Sequence, residues 1–215
     1  MVEKHFGEEK AKDIIIGTAV VLGIALSIVL FILIPTLLAG LTKGFIHSPV
    51  VRNLFEGLLR IIIFLLYLWG VAHMKDVERM FAYHGAEHKT IFCYEKGLPL
   101  TVENVRRQKR FHPRCGTSFI FLVVLLSIII GMFLPWKNLW ARFGLQLLML
   151  IPETSIGYEL IKLAGRYDNI FTRIISAPGI WLQHITTCEP DDPQIEVAIA
   201  ALKPCIPENK EDDKW

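Results

Sequence analysis

"IIIGTAVVLGIALSIVLFILIPTLLAGL", Ile14 to Leu41, passes through 28 residues without one ionisable side chain. A bilayer-spanning helix needs roughly 20 apolar residues, so this run crosses a membrane with length to spare. A cleaved signal peptide is the competing reading. Its apolar region is normally about 7–15 residues long, ahead of a small-residue cleavage site. The run here is longer and is read as a retained span. A mean hydropathy of +0.43 over 215 residues agrees, because soluble domains rarely carry such uncharged stretches.

Three further runs lie downstream. The second is Ile61 to Ala72, extending back to Leu54 once Glu56 and Arg60 are placed near the interface. The third is Phe119 to Leu134, around the apolar core "FIFLVVLLSIII". The fourth, Leu139 to Ile151, contains Arg142 and reaches membrane length only by continuing past Pro152 toward Leu163. That continuation brings Glu153 and Glu159 to the membrane boundary. The expected class is all-α, a polytopic membrane protein with about four transmembrane helices plus cytoplasmic amphipathic helices. The expected boundaries are a charged N-terminal segment over 1–13 and the first two spans over 14–72. A loop over 73–118, spans three and four over 119–163 and an amphipathic C-terminal region over 164–215 complete the chain.

Charge sets the expected orientation. Lys75, Arg79, Lys89, Lys96, Arg106, Arg107, Lys109, Arg110 and Arg114 all fall between His73 and Ser118, whereas Thr42–Asn53 holds only Lys43 and Arg52. Basic loops stay cytoplasmic, so both termini and the 73–118 loop are placed inside; Lys4, Lys10 and Lys12 agree. The overall charge of +2 says little beside that asymmetry. Cys93, Cys115, Cys188 and Cys205 then face a reducing compartment, which argues against a disulfide framework.

The loop carries "YHGAEHKTIFCYEKG", Tyr83 to Gly97. A helix is expected from about Asp76 to Glu95, ended by Gly97 and Pro99. On a helix, residues three and four apart share a face, so His84, Glu87 and His88 do. Two histidines at that spacing can bind one zinc ion, with the glutamate activating a water. The order H-x-x-E-H is that of the inverzincins, though a five-residue pattern is weak alone and a surface histidine pair is usually just solvated. "RFHPRCGTS" adds His112 and Cys115 on the same loop. If His84, His88, His112 and Cys115 all bind, the tetrahedron is closed and structural. If one is absent, water can enter and Glu87 becomes a candidate base. Glu159 or Glu153 is a candidate carboxylate ligand, against a plain ion-pair stripe of Glu159, Lys162 and Arg166. His73 reads as an interface histidine and Cys93 as packing. No phosphate-binding glycine loop occurs, and Thr117 and Ser118 lack a paired base.

"TVENVRRQKRF" reads as a short helix capped by Thr101. Arg106, Arg107, Lys109, Arg110 and Arg114 would lie at lipid headgroups, attracting anionic lipid, or would meet RNA; the plainest reading is a topology signal. Downstream, "GYELIKLAGRYDNIFTRIISAPGIWLQHITTCEP" reads as one or two amphipathic pieces broken at Pro178–Gly179, with Trp181 at an interface. "DDPQIEVAIAAL" reads as a helix capped by Asp192 with Pro193 first. Asp168, Asn169, Glu189, Asp191 and Asp192 otherwise read as caps and solvated turns.

"FAYHGAEHKTIFCYEKGLPLTVENVRRQKRFHPRCGTSF", "GYELIKLAGRYDN" and "APGIWLQHITTCEPDDPQIEVAIAAL" together resemble the YqhQ-like bacterial membrane family, a domain of unknown function often labelled a predicted metal-dependent enzyme. The resemblance covers roughly residues 45–203. It puts His84, Glu87, His88, His112, Arg114 and Cys115 on the family signature, with Tyr158, Glu159, Thr186 and Thr187. Many relatives open with a soluble, strand-rich region that is not found here, and His184 and Cys188 stand where basic residues are expected.

The expected function is an inner-membrane, metal-binding protein, zinc being the expected ion. It would act as a scaffold that docks the translocon, the ribosome or another biogenesis factor through its basic surface. The alternative is a metal-dependent hydrolase acting on a peptide or lipid headgroup, with Glu87 as base and metal on His84, His88, His112, Cys115 or Glu159. A transporter ranks third, because few polar groups fall mid-membrane. The sequence leaves the oligomeric state open.

Overall fold

A computed structural model describes residues 8–167 and 169–208. The cap reading of Asp168 and the charge of Lys4 lie outside them. Among the described residues the fold is all-helical, without strands. Helix α1 spans Glu8–Ile28, α2 Ile34–Leu41, α3 Pro49–Ala72, α4 Lys75–Glu95, α5 Val102–Arg106, α6 Gly116–Met132, α7 Leu139–Arg166, α8 Ile170–Thr186 and α9 Asp192–Leu202.

Two segments, Lys12–Gly44 and Pro49–Ala72, are long and apolar enough to cross a membrane. Helix α6 is also apolar but has 17 residues. The fourth run does continue through Pro152, as α7 of 28 residues. Between α1 and α2 the helix widens into a π-turn, Val29–Leu33, where Ile34 N–H donates to Val29 O. Pro35 explains it: a proline has no N–H and its ring crowds the carbonyl four residues back, so the preceding turn adjusts.

The chain divides into two compact units, Met1–Phe64 with Ile128–Met149 and Leu65–Ser127 with Leu150–Trp215. The first buries a polar network. Glu56 accepts from Arg142, whose Nη2 lies 3.0 Å from Oε2, and from the Gln146 amide. Thr36 Oγ1 is 2.7 Å from Glu56 Oε1 and 2.8 Å from Gln146 Oε1. Arg142 and Glu56 are 1% and 2% exposed. Arg142 also donates to the carbonyls of Leu134 and Gly131. A buried charge is tolerated only when paired and hydrogen-bonded throughout, and this pair meets that condition. Glu56 is therefore an interior residue of its unit.

The second unit holds the candidate site. Its core packs α4, α5 and α9 through Ala86, Cys93, Val105, Ile195 and Ile199. Cys93 is fully buried there, a packing residue as its sequence position suggested. Thr101 caps α5, accepting from Asn104 N. Two expectations shift. Helix α8 runs unbroken through Pro178, and the break falls before Asn169, whose side chain forms a capping box with Thr172. Gly179 faces α6: a Cβ there would lie 2.4 Å from Ser118 Cβ, so the glycine serves close packing rather than a turn. Likewise Asp191, not Asp192, caps α9 through Gln194 N. Asp192 begins the helix and its carboxylate pairs with Arg106.

Candidate metal centre

Helix α4 places His84 and His88 one turn apart, with ring centroids 4.3 Å apart. They face Cys115, which immediately precedes α6 after the Pro113–Arg114 turn. His84 Nε2 lies 3.0 Å from Cys115 Sγ. One donor atom each from His84, His88 and Cys115 fall within 4.8 Å of one another. His88 and Cys115 are buried, at 3% and 6% exposure.

The other ring nitrogens are held from behind. His84 Nδ1 lies 2.8 Å from the Thr186 carbonyl and His88 Nδ1 2.5 Å from the Arg110 carbonyl. A carbonyl only accepts, so each Nδ1 carries the hydrogen and each Nε2 keeps the side toward Cys115. This backing by a carbonyl is the usual support of a metal-ligating histidine. The carbonyls are themselves fixed. Gln183, fully buried, donates to His112 O at 2.7 Å and to Ser118 Oγ at 3.0 Å, and accepts from His112 N at 2.7 Å. One amide thus clamps the 110–118 segment to α8. Across α4, Cys188 N–H donates to Phe81 O at 2.9 Å, holding the chain just beyond Thr186.

Burial pushes the Cys115 thiol up, but hydrogen bonds from His84, His88 and Thr117 outweigh it and bring the group down to about 5. Burial lowers His84, and its hydrogen bond and charge pairing with Cys115 outweigh that and raise it. Cys115 also accepts or donates at 3.1 Å to Thr117 Oγ1. Its carbonyl accepts from Phe119 N–H, so the sulfur sits at the start of α6, where the helix dipole favours an anion.

His112, Glu87 and Glu159 stand apart from the three converging donors. His112 Nε2 lies 3.2 Å from Glu95 Oε2, while its Nδ1 accepts from Arg114 N. Both ring nitrogens are thus engaged, with the ring 5.8 Å from that of His88. The His112 bond, against burial, holds the Glu95 carboxyl below its usual range, with Arg114 adding to it. Glu159 is exposed on α7. Glu87 is exposed on α4, near enough that its charge helps to raise His84. In the expected basic stripe, Arg106 pairs with Asp192 and Arg107 with Glu103, and Arg114 lies 3.5 Å from Glu95.

Sequence reasoning missed Gln183, Glu95 and the two carbonyls. The one available signal was a run of small and polar residues on one helix face, Thr172, Ser176, Gly179, Gln183 and Thr186.

Comparison with known proteins places the chain. Residues 1–208 match the family described as "Protein of unknown function (DUF1385)". The chain is 39% identical over 183 residues to "Uncharacterized protein YqhQ" of Bacillus subtilis (strain 168), covering 85% of this chain. It spans 58% of the length of that relative. No solved structure matches.

Proposed function

The chain belongs to the family of proteins of unknown function DUF1385, and we propose that it is a membrane-anchored metal protein with an open, hydrolytic centre on His84, His88 and Cys115. One observation carries this reading: two imidazoles, each backed by a carbonyl, turn toward one cysteine sulfur, while the fourth expected donor, His112, is engaged elsewhere. Two nitrogens and a sulfur suit zinc, and three protein ligands with one vacant position are the mark of catalytic rather than structural sites.

Zinc held there would supply a Lewis acid for a carbonyl or phosphoryl oxygen. The chain's own residues do the rest. Thr186 and Arg110 orient the imidazoles, Gln183 fixes the segment that carries Cys115, and Thr117 bonds the sulfur. Glu87, one residue before His88 on α4, is the proposed acceptor of the proton from the attacking water. The finer topology belongs to the same proposal: four spans in a bacterial inner membrane, with both termini and the centre on the cytoplasmic side. It rests on the positive loop over 73–118. The docking-scaffold reading draws less support, because it needs a closed tetrahedron and two of its basic side chains are already paired.

Cobalt(II) tests the proposal without a known substrate. The full chain, purified in neutral detergent and loaded with cobalt, is expected to hold one ion per chain, lost in His84→Ala and kept in Glu87→Gln. Added thiocyanate should shift the visible absorption band by entering the vacant position. Full cobalt occupancy with a band blind to thiocyanate would overturn the open centre in favour of a structural one. Failure to hold any transition metal would overturn both.

A further inference from the structure

Around Arg114 the second unit contains two cavities that share a wall. The larger, about 690 Å³, falls in the range of small-molecule sites. Its lining includes Arg114, Arg166, Arg173, Tyr167, Trp181 and His184. The smaller, about 210 Å³, is bordered by Cys115, Phe119, Tyr158, Ile161 and Lys162. Arg114 and Gly165 belong to both. Gly165 makes this possible: a Cβ there would lie 3.1 Å from Arg114 Nε and 3.2 Å from Cδ, so the arginine lies across bare backbone of α7.

Three arginines from three segments, the turn before α6, the end of α7 and α8, thus line one cavity. Arg114 shares its charge with Glu95 at 3.5 Å, and Arg166 lies over the Tyr167 ring. A guanidinium fork matches a phosphate or carboxylate better than a lysine does. The chamber calls for an anion. The adjoining slot, walled by Phe119, Tyr158 and Ile161, calls for hydrocarbon. Helix α8, which forms one side of the larger cavity, exposes Ile170 at 80%, Ile174 at 66% and Trp181 at 55%. That is the composition of a helix lying in a headgroup layer.

We infer that the substrate of the centre is a phosphate-bearing lipid, its phosphate held by Arg114, Arg166 and Arg173 and an apolar portion lodged beside Cys115 in the slot of Phe119, Tyr158 and Ile161. Its standing as substrate rather than resident lipid rests on the hydrolytic reading above. The lipid site itself does not. Arg114 is the pivot, because it borders both cavities and precedes a proposed ligand by one residue.

Three probes separate the sources of phosphate: dioctanoyl phosphatidic acid, dioctanoylglycerol with the same chains and no phosphate, and glycerol 3-phosphate with no chains. Binding to the full chain in neutral detergent is measured by microscale thermophoresis. Phosphatidic acid is expected to bind about tenfold more tightly than either of the others. Arg166→Gln with Arg173→Gln should weaken it about tenfold and leave dioctanoylglycerol unchanged. The charge-keeping pair Arg166→Lys with Arg173→Lys should recover part of that loss, which a collapsed fold would not. Glycerol 3-phosphate binding as tightly as phosphatidic acid would overturn the lipid assignment, as would phosphatidic acid binding indifferent to both arginine pairs. Cobalt content is read on the same samples. Phosphatidic acid held at full strength by metal-free His84→Ala protein supports the lipid site on its own, so loss of the metal proposal and loss of this one give different results.

Discussion

Gly85 stands between the two residues of the helix that begin the site, and its replacement by alanine is the sharpest structural test. A Cβ at 85 would lie 2.1 Å from the Cys188 carbonyl oxygen, 3.3 Å from its carbon and 3.6 Å from Pro190 Cδ. The obstacle is backbone, so no side chain can swing aside; the 187–190 segment must retreat. Retreat stretches the Cys188 N–H to Phe81 O bond, now 2.9 Å, and draws Thr186 O from His84 Nδ1, now 2.8 Å. Overpacking costs about 1–3 kcal/mol, and a lost hydrogen bond about 0.5–1.5 kcal/mol, together roughly 2–4 kcal/mol. At about 2–4 °C per kcal/mol for a chain of this size, the unfolding temperature should drop by roughly 4–16 °C. Loss of the carbonyl behind a ligating imidazole should weaken zinc about 10–100-fold. Differential scanning fluorimetry in detergent reads the first and competition with a zinc chelator the second. Gly70→Ala, where a Cβ meets nothing within 4 Å, is the control and should leave both unchanged. Wild-type melting and wild-type zinc affinity in Gly85→Ala would refute the packing of the Thr186–Pro190 segment on α4.

Three further outcomes are expected. His112→Ala should keep its metal, since both His112 nitrogens are engaged by Glu95 and Arg114, whereas Cys115→Ser should lose it; mass-spectrometric metal analysis decides, and metal lost from His112→Ala would restore His112 as a ligand. In the first unit, Arg142→Met removes the partner of Glu56 Oε2 and leaves the carboxylate, as ion pair, only the longer 3.7 Å pairing of its other oxygen with Arg60, which should cost about 3–5 kcal/mol. The double change Glu56→Leu with Arg142→Met should melt closer to wild type, and equal damage from both would deny the pairing. After zinc is stripped, Cys115, held at about 5, remains a thiolate near pH 7. Iodoacetamide should label it in preference to Cys93 and Cys188, which burial pushes up. Labelling should fall as pH drops through about 5, because the nucleophile is then protonated.

The parts of the fold governed by local pattern were legible in the sequence. Uncharged runs announced the helices now seen as Lys12–Gly44 and Pro49–Ala72, and four-residue spacing put His84 and His88 on one face. What depended on contacts distant in sequence was not. His112 shares the H-x-x-C spacing with Cys115, yet Glu95, 17 residues away, takes its Nε2. Pro178 reads as a break from neighbouring residues alone, but Gly179 against Ser118 packs α8 straight through it. Asp191 and Asp192 are interchangeable as caps until Arg106, 86 residues away, claims one of them. Gln183 carried its clamp without any motif, since an amide bonded to backbone leaves no spacing rule in the sequence.

Zinc K-edge X-ray absorption on the purified full chain examines the ligand set itself. The expected first shell is two imidazole nitrogens at about 2.0–2.1 Å, one sulfur at about 2.3 Å and one light atom from solvent. A shell of three imidazoles and one sulfur, or one without sulfur, would contradict a centre built on His84, His88 and Cys115 with its fourth position open.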